Sequence, residues 1–91
     1  MVVLEKGSIV TFKNFSGKRP VLMLVKEDAY EYGFRKDFWR LIDIYTGVGY
    51  GICGYSIGEV YEMLRSGVKR GSYKDLRVVT NGEIYEIKET I

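Results

Sequence analysis

Asp75-Leu76-Arg77-Val78-Val79-Thr80-Asn81-Gly82-Glu83-Ile84-Tyr85-Glu86-Ile87-Lys88 reads as two strands folded back on each other. Asn81-Gly82 is the preferred two-residue hairpin turn, because both positions tolerate a positive φ. So short a loop fixes the register. It pairs Val79 with Ile84, Val78 with Tyr85, Arg77 with Glu86 and Leu76 with Ile87, and one step further Asp75 with Lys88. One face then carries Leu76, Val78, Tyr85 and Ile87. The other carries two opposite-charge pairs, each contributing from tenths of a kcal/mol to about 1 kcal/mol. Turn, register and charge agree on a C-terminal β-hairpin.

Strand character recurs upstream. Ser8 to Lys13 alternates, with Val10 and Phe12 on one face and Ile9 and Thr11 on the other. Asn14-Phe15-Ser16-Gly17-Lys18 is a tight connection. Pro20, the one proline, fits a strand start, where its missing N–H matters least. Val21-Leu22-Met23-Leu24-Val25 is apolar on both faces and predicts a central or barrel strand. Trp39 to Tyr45 resumes the alternation. Ser56-Ile57-Gly58-Glu59 has capping-box spacing. Ile57, Val60, Tyr61 and Leu64 follow on one helical stripe, and Ser66-Gly67 predicts the end of a helix of about ten residues. The sum is a mainly β, α+β chain: a small SH3-like barrel of about five strands with one short helix, or an open α+β sheet.

The 91 residues read as a single domain over 1–91, with no internal repeat or linker. A 46% hydrophobic and 29% charged composition is that of a folded globule. The formal charge of +2 is too small to name a nucleic-acid partner. No apolar run approaches the roughly 20 residues of a membrane helix, and the N-terminus lacks the features of a signal peptide. With Cys53 alone, no internal disulfide or cysteine-based zinc cage can form. A cytoplasmic setting without membrane partners is expected. Histidine is absent, which excludes Ser-His-Asp and Cys-His catalysis within one chain and histidine metal sites. No metal or cofactor is expected, and chemistry would fall to Arg, Lys, Tyr, Thr or carboxylates.

Gly7-Ser8-Ile9-Val10, Phe12 and Gly17-Lys18-Arg19-Pro20-Val21-Leu22 resemble the N-terminal strands of the MazF/PemK toxin family. Members of that family are SH3-like barrel endoribonucleases, usually dimeric. The resemblance implies that Arg19, in the Arg-Pro step, is a catalytic cation for the phosphorane charge. It also implies that Thr46, closing Leu41-Ile42-Asp43-Ile44-Tyr45, supplies a catalytic hydroxyl. It covers the N-terminal half of the chain. The connection Phe15-Ser16-Gly17 is shorter than the family's, and nothing after Thr46 matches.

Three further stretches are candidate sites. Gly49-Tyr50-Gly51-Ile52-Cys53-Gly54 formally matches G-x-G-x-x-G. The helix cap falls after it, at Ser56, so its glycines suit a bend, bulges or close packing rather than a dinucleotide. Lys69, Arg70 and Lys74, with Arg65 and Arg77 beside them and Tyr73 interleaved, have the composition of an anion or nucleic-acid site: charge for phosphate, a ring for a base. Basic residues past a helix also complement its dipole. Lys26 to Asp37 mixes charge with Tyr30, Tyr32 and Phe34 and is broken by Gly33. It is expected to form an exposed, irregular loop about a dozen residues long. Tyr30, Tyr32, Phe34 and Arg35 there are candidate protein contacts, since Tyr and Arg dominate interface hot spots. Phe38 and Trp39 are expected in the core, and Cys53 as a small buried hydrophobe.

These readings point to a small non-enzymatic binding or inhibitor module. Its size and style are those of phage or mobile-element proteins that engage a host protein or a nucleotide-like anion. The alternatives are a MazF-like endoribonuclease and a single-stranded nucleic-acid-binding barrel. A homo-oligomer is compatible with each.

Overall fold

The computed structural model describes residues 4–87. In chain order they form β1 (Ile9–Lys13), β2 (Val21–Glu31), β3 (Phe34–Asp43), β4 (Gly49–Gly54), α1 (Ile57–Arg70), β5 (Lys74–Thr80) and β6 (Glu83–Ile87). The six strands pair antiparallel in the order β4-β3-β2-β1-β5-β6. This is the mainly β, barrel-like α+β architecture that the sequence predicts, with six strands rather than about five and the helix between β4 and β5. None of the helices among the described residues is long and apolar enough to cross a membrane.

Alternation places one residue set on the inner face. Val10 and Phe12 of β1, Leu22 and Leu24 of β2, Leu41 of β3, Ile52 of β4, Leu76 and Val78 of β5 and Ile87 of β6 are buried there with Val60 and Leu64 of α1. Leu22 and Leu24 face the core, while Met23 and Val25 stay half-buried on the opposite side. The apolar run of β2 thus marks its place inside the sheet. At the seam between the halves of the chain, the buried hydroxyls of Ser8 and Thr80 share a 2.7 Å hydrogen bond.

The C-terminal hairpin has the predicted register from Leu76–Ile87 through Val79–Ile84. The expected Asp75–Lys88 pair lies outside the described residues; among those described, Asp75 holds Arg77 at 3.3 Å and Arg19 at 2.6 Å. Helix α1 starts as expected. The Glu59 amide donates to Ser56 Oγ (3.2 Å) and the Ser56 amide to Glu59 Oε2 (3.0 Å).

Three expectations need correction. The helix does not stop at Gly67 but runs to Arg70, where Gly71 takes the left-handed cap conformation at φ 81°. Gly67 serves packing instead: a Cβ there would lie 2.1 Å from the Tyr73 ring. The glycine-rich stretch is not a bend but edge strand β4; the expected bulge and close packing are there, as an irregular register against β3 between Arg40 and Ile42 and as Gly54, where a Cβ would lie 2.6 Å from Glu59 Cβ. Cys53 is half-buried rather than buried, opposite Arg40.

Candidate functional site: a projecting aromatic hairpin

The largest departure from the sequence reading is residues 26–37, which form no irregular loop. Strands β2 and β3 continue pairing past the core, from Lys26–Trp39 out to Glu31–Phe34, as a regular two-stranded ribbon. Tyr32 and Gly33 make the turn with φ 53° and 81°. The geometry matches that of Asn81-Gly82, with φ 52° and 76°. The ribbon is exposed, as expected, and no residue from Lys26 to Arg40 is fully buried.

Cross-strand charges explain why a stretch so polar stays ordered. Arg35 pairs with Asp28 and, at 3.7 Å, with Asp37; Lys26 also reaches Asp37, at 3.6 Å. On the other face Lys36 pairs with Glu31 at 2.9 Å and Arg40 with Glu27 at 2.8 Å. These partners raise the pKa of both the Arg35 guanidinium, through its hydrogen bond to Asp28, and the Lys36 ammonium, through its bond to Glu31. Four cations and four acids lie between residues 26 and 40, so the ribbon is neutral. Arg35 is therefore engaged within the ribbon.

The rings divide by position. Trp39 packs against the core, whereas Phe38 sits half-buried on the other side, edge-on to Tyr55 at 5.5 Å. Beyond them the tip presents Tyr30, Tyr32 and Phe34 at 73%, 92% and 74% exposure. Three of the four expected contact residues thus meet at one tip with their rings in solvent.

The other candidates gather at the opposite end of the sheet, where β1 and β3 end and β2, β4 and β5 begin. Arg19 is occupied: its Nη2 donates to Asp75 Oδ2 (2.6 Å) and its Nη1 to the Asp75 carbonyl (3.2 Å). Thr46 lies in the β3–β4 turn, where its Oγ1 accepts the Val48 amide (3.2 Å). No hydrogen bond joins Arg19 to Thr46 among the described residues. Lys69 and Arg70 form the last helical turn and Lys74 opens β5, all exposed. Tyr73 differs from its expected base-stacking role. Its ring packs on Phe12 at 4.3 Å and under Gly67. Burial raises its pKa above the usual 10.0, against a smaller opposing pull from Arg70.

Two exposed rings at this end escaped the sequence reading. Phe15, in the β1–β2 connection, is 87% exposed, and Tyr45, in the β3–β4 turn, is 81% exposed. For Phe15 the available signal was position, a large ring inside a short turn; Tyr45 reads as the last residue of a strand, but β3 ends at Asp43 and leaves the ring in the turn. No protein-family model, curated protein or solved structure matches this chain.

Proposed function

We propose that the protein is a non-enzymatic binding module whose β2–β3 hairpin tip docks into an apolar groove on a partner protein. One observation carries this reading. Two hairpins of one chain make the same turn, yet one uses Asn-Gly and the other Tyr-Gly. A non-glycine residue in the left-handed region costs roughly 1–2 kcal/mol, and Asn is among the few that tolerate it. Tyr32 therefore opposes the turn it occupies and, at 92% exposure, gains no packing in return. Such a residue suits a contact made outside the chain.

The neutral, internally paired ribbon supports the same reading, because it holds the tip away from the body without presenting unpaired charge. Each aromatic ring can bury about 150–250 Å². Three at the tip approach the roughly 800 Å² per partner of a standard interface, with the ribbon flanks supplying the rest. The size of the chain and its lack of histidine suit an inhibitor of a host factor.

The test is capture of partners from cells on immobilised protein, comparing wild type with Tyr32→Asn and with Tyr32→Asn/Phe34→Ser. Tyr32→Asn should raise stability by tenths of a kcal/mol to about 1 kcal/mol. Thermal unfolding checks that gain. The same substitution should weaken capture about tenfold or more. A partner held equally by all three proteins removes the reading.

A second reading, a MazF-like endoribonuclease, draws on the resemblance of residues 7–22 and on the location of Arg19 and Thr46 at one end of the sheet. In that reading Arg19 must leave Asp75 to meet a phosphate. Incubation with a long RNA tests it: cleavage that Arg19→Ala abolishes supports an enzyme, and intact RNA opposes one.

A further inference from the structure

Unpaired positive charge is concentrated at one end of this molecule. The end opposite the hairpin tip carries Lys13, Lys18, Arg19, Lys69, Arg70, Lys74 and Arg77 against Asp43, Asp75 and Glu86, seven cations to three acids. Asp75 neutralises Arg19 and Arg77. Lys13, Lys18, Lys69, Arg70 and Lys74 have no ion pair among the described residues.

The fold brings these cations together from distant parts of the chain. Lys13 and Lys74 are direct cross-strand partners of β1 and β5, at an irregularity in the register. Like charges facing each other across a ladder are unfavourable, so folding alone does not explain the pair. Lys18 lies in the β1–β2 connection that follows Lys13. Lys69 and Arg70 reach this end because the left-handed cap at Gly71 turns the chain directly from α1 into β5. Phe15 and Tyr45 flank the cluster with exposed rings. Their turns are separated by β2, so they are about 10–15 Å apart at the usual strand spacing of about 4.8 Å.

We infer that this end binds single-stranded nucleic acid, with Lys13, Lys18, Lys69 and Lys74 on phosphates and with Phe15 and Tyr45 as stacking platforms for bases. Cations alone would suit any polyanion. Exposed rings interleaved with them add a surface that unpaired bases can cover and that a duplex, whose bases are stacked inward, cannot use. An acidic peptide would match the charge but leave both rings in water. The site is separate from the hairpin, and no strand cleavage is required of it.

The experiment is fluorescence anisotropy with labelled 15-nucleotide oligo(dT) and oligo(rU), a duplex of equal length and a heparin fragment, across a salt series. Wild type should bind both single strands, with log K falling as salt rises by about 0.7 per phosphate engaged. Lys18→Gln/Lys74→Gln should flatten that slope by about 1.4 and weaken binding to every polyanion. Phe15→Ser/Tyr45→Ser should leave the slope unchanged and weaken single-strand binding about thirtyfold or more. All four substituted positions are exposed, so circular dichroism should report an unchanged fold. No binding at low salt overturns the inference. So does equal affinity for heparin or duplex that the ring substitutions leave intact, which would reduce this end to unselective charge. Comparing the two oligonucleotides separates DNA from RNA. Tyr32→Asn, as the control, should leave every one of these affinities unchanged, so failure here stays separate from failure of the hairpin reading.

Discussion

Tyr73 and Gly67 decide how the helix, the sheet and the basic end meet. The ring lies against Phe12 and where a Cβ at residue 67 would be. In an isolated helix, Gly67→Ala would be favourable by about 1 kcal/mol. Here the added methyl must push the ring off Phe12, and overpacking of that kind costs about 1–3 kcal/mol. Gly67→Ala should therefore lower stability in chemical denaturation, while in a Tyr73→Ala background the same change should raise it. The Tyr73 hydroxyl makes a second statement, about pH. Burial raises its pKa in the folded state, so the native protein holds the proton longer than the unfolded chain. Its contribution to stability is whole below the unfolded value near 10 and declines as pH climbs through the folded value. In alkaline unfolding titrations, Tyr73→Phe should lose less stability above pH 10 than wild type, and the two should run parallel at neutral pH.

Elements whose signals were local could be read from the chain, and those that depend on a distant partner could not. The Asn81-Gly82 hairpin and the Ser56–Glu59 capping box carry turn and cap chemistry within a few residues, and both form as read. The cap is open to a simple check: Ser56→Ala leaves the Glu59 amide without its acceptor and should cost about 0.5–2 kcal/mol in thermal unfolding. The end of α1 was misplaced because Gly67 looks like a stop signal, and what keeps it helical is the Tyr73 ring of the next segment. The β2–β3 ribbon was misread for a related reason. Its alternation is in charges rather than in apolar residues, because neither face meets the core. Tyr32-Gly33 was the overlooked cue, with a glycine at the second turn position and opposite charges such as Glu31 and Lys36 disposed around it. The exposure of Tyr30, Tyr32 and Phe34 was nonetheless legible in the sequence. The rings at the other end, Phe15 and Tyr45, gained meaning only when the topology set their turns at the end of the sheet where Lys13 meets Lys74.

At the scale of the molecule, the buried core and the exposed ribbon should differ in stability. The core is knitted by β1, which joins β2 on one side to β5 on the other and so ties the two halves of the chain together. Val10 and Phe12 on that strand are fully buried. Breaking this seam exposes the whole core, so its amides should exchange with solvent only through global unfolding, a free-energy gap of roughly 5–14 kcal/mol for a chain of this size. The ribbon is different. From Lys26 to Glu31 and from Phe34 to Phe38 its outer edges lie beyond the reach of β1 and β4. What holds it is its own ladder, surface ion pairs each contributing at most about 1 kcal/mol, and at its base the contacts of Phe38 and Lys36 with the Tyr55 ring. Opening it buries and exposes little, so it should open alone. Native-state hydrogen exchange should therefore find the interstrand amides of residues 27–37 exchanging orders of magnitude faster than those of Val10, Leu22, Leu24 and Val78. Rising salt should widen the difference as the ion pairs are screened. If the ribbon amides were as protected as the core, the tip would be fixed by contacts this fold does not contain, and Tyr32 could not be the adaptable, self-contained contact residue assigned to it above.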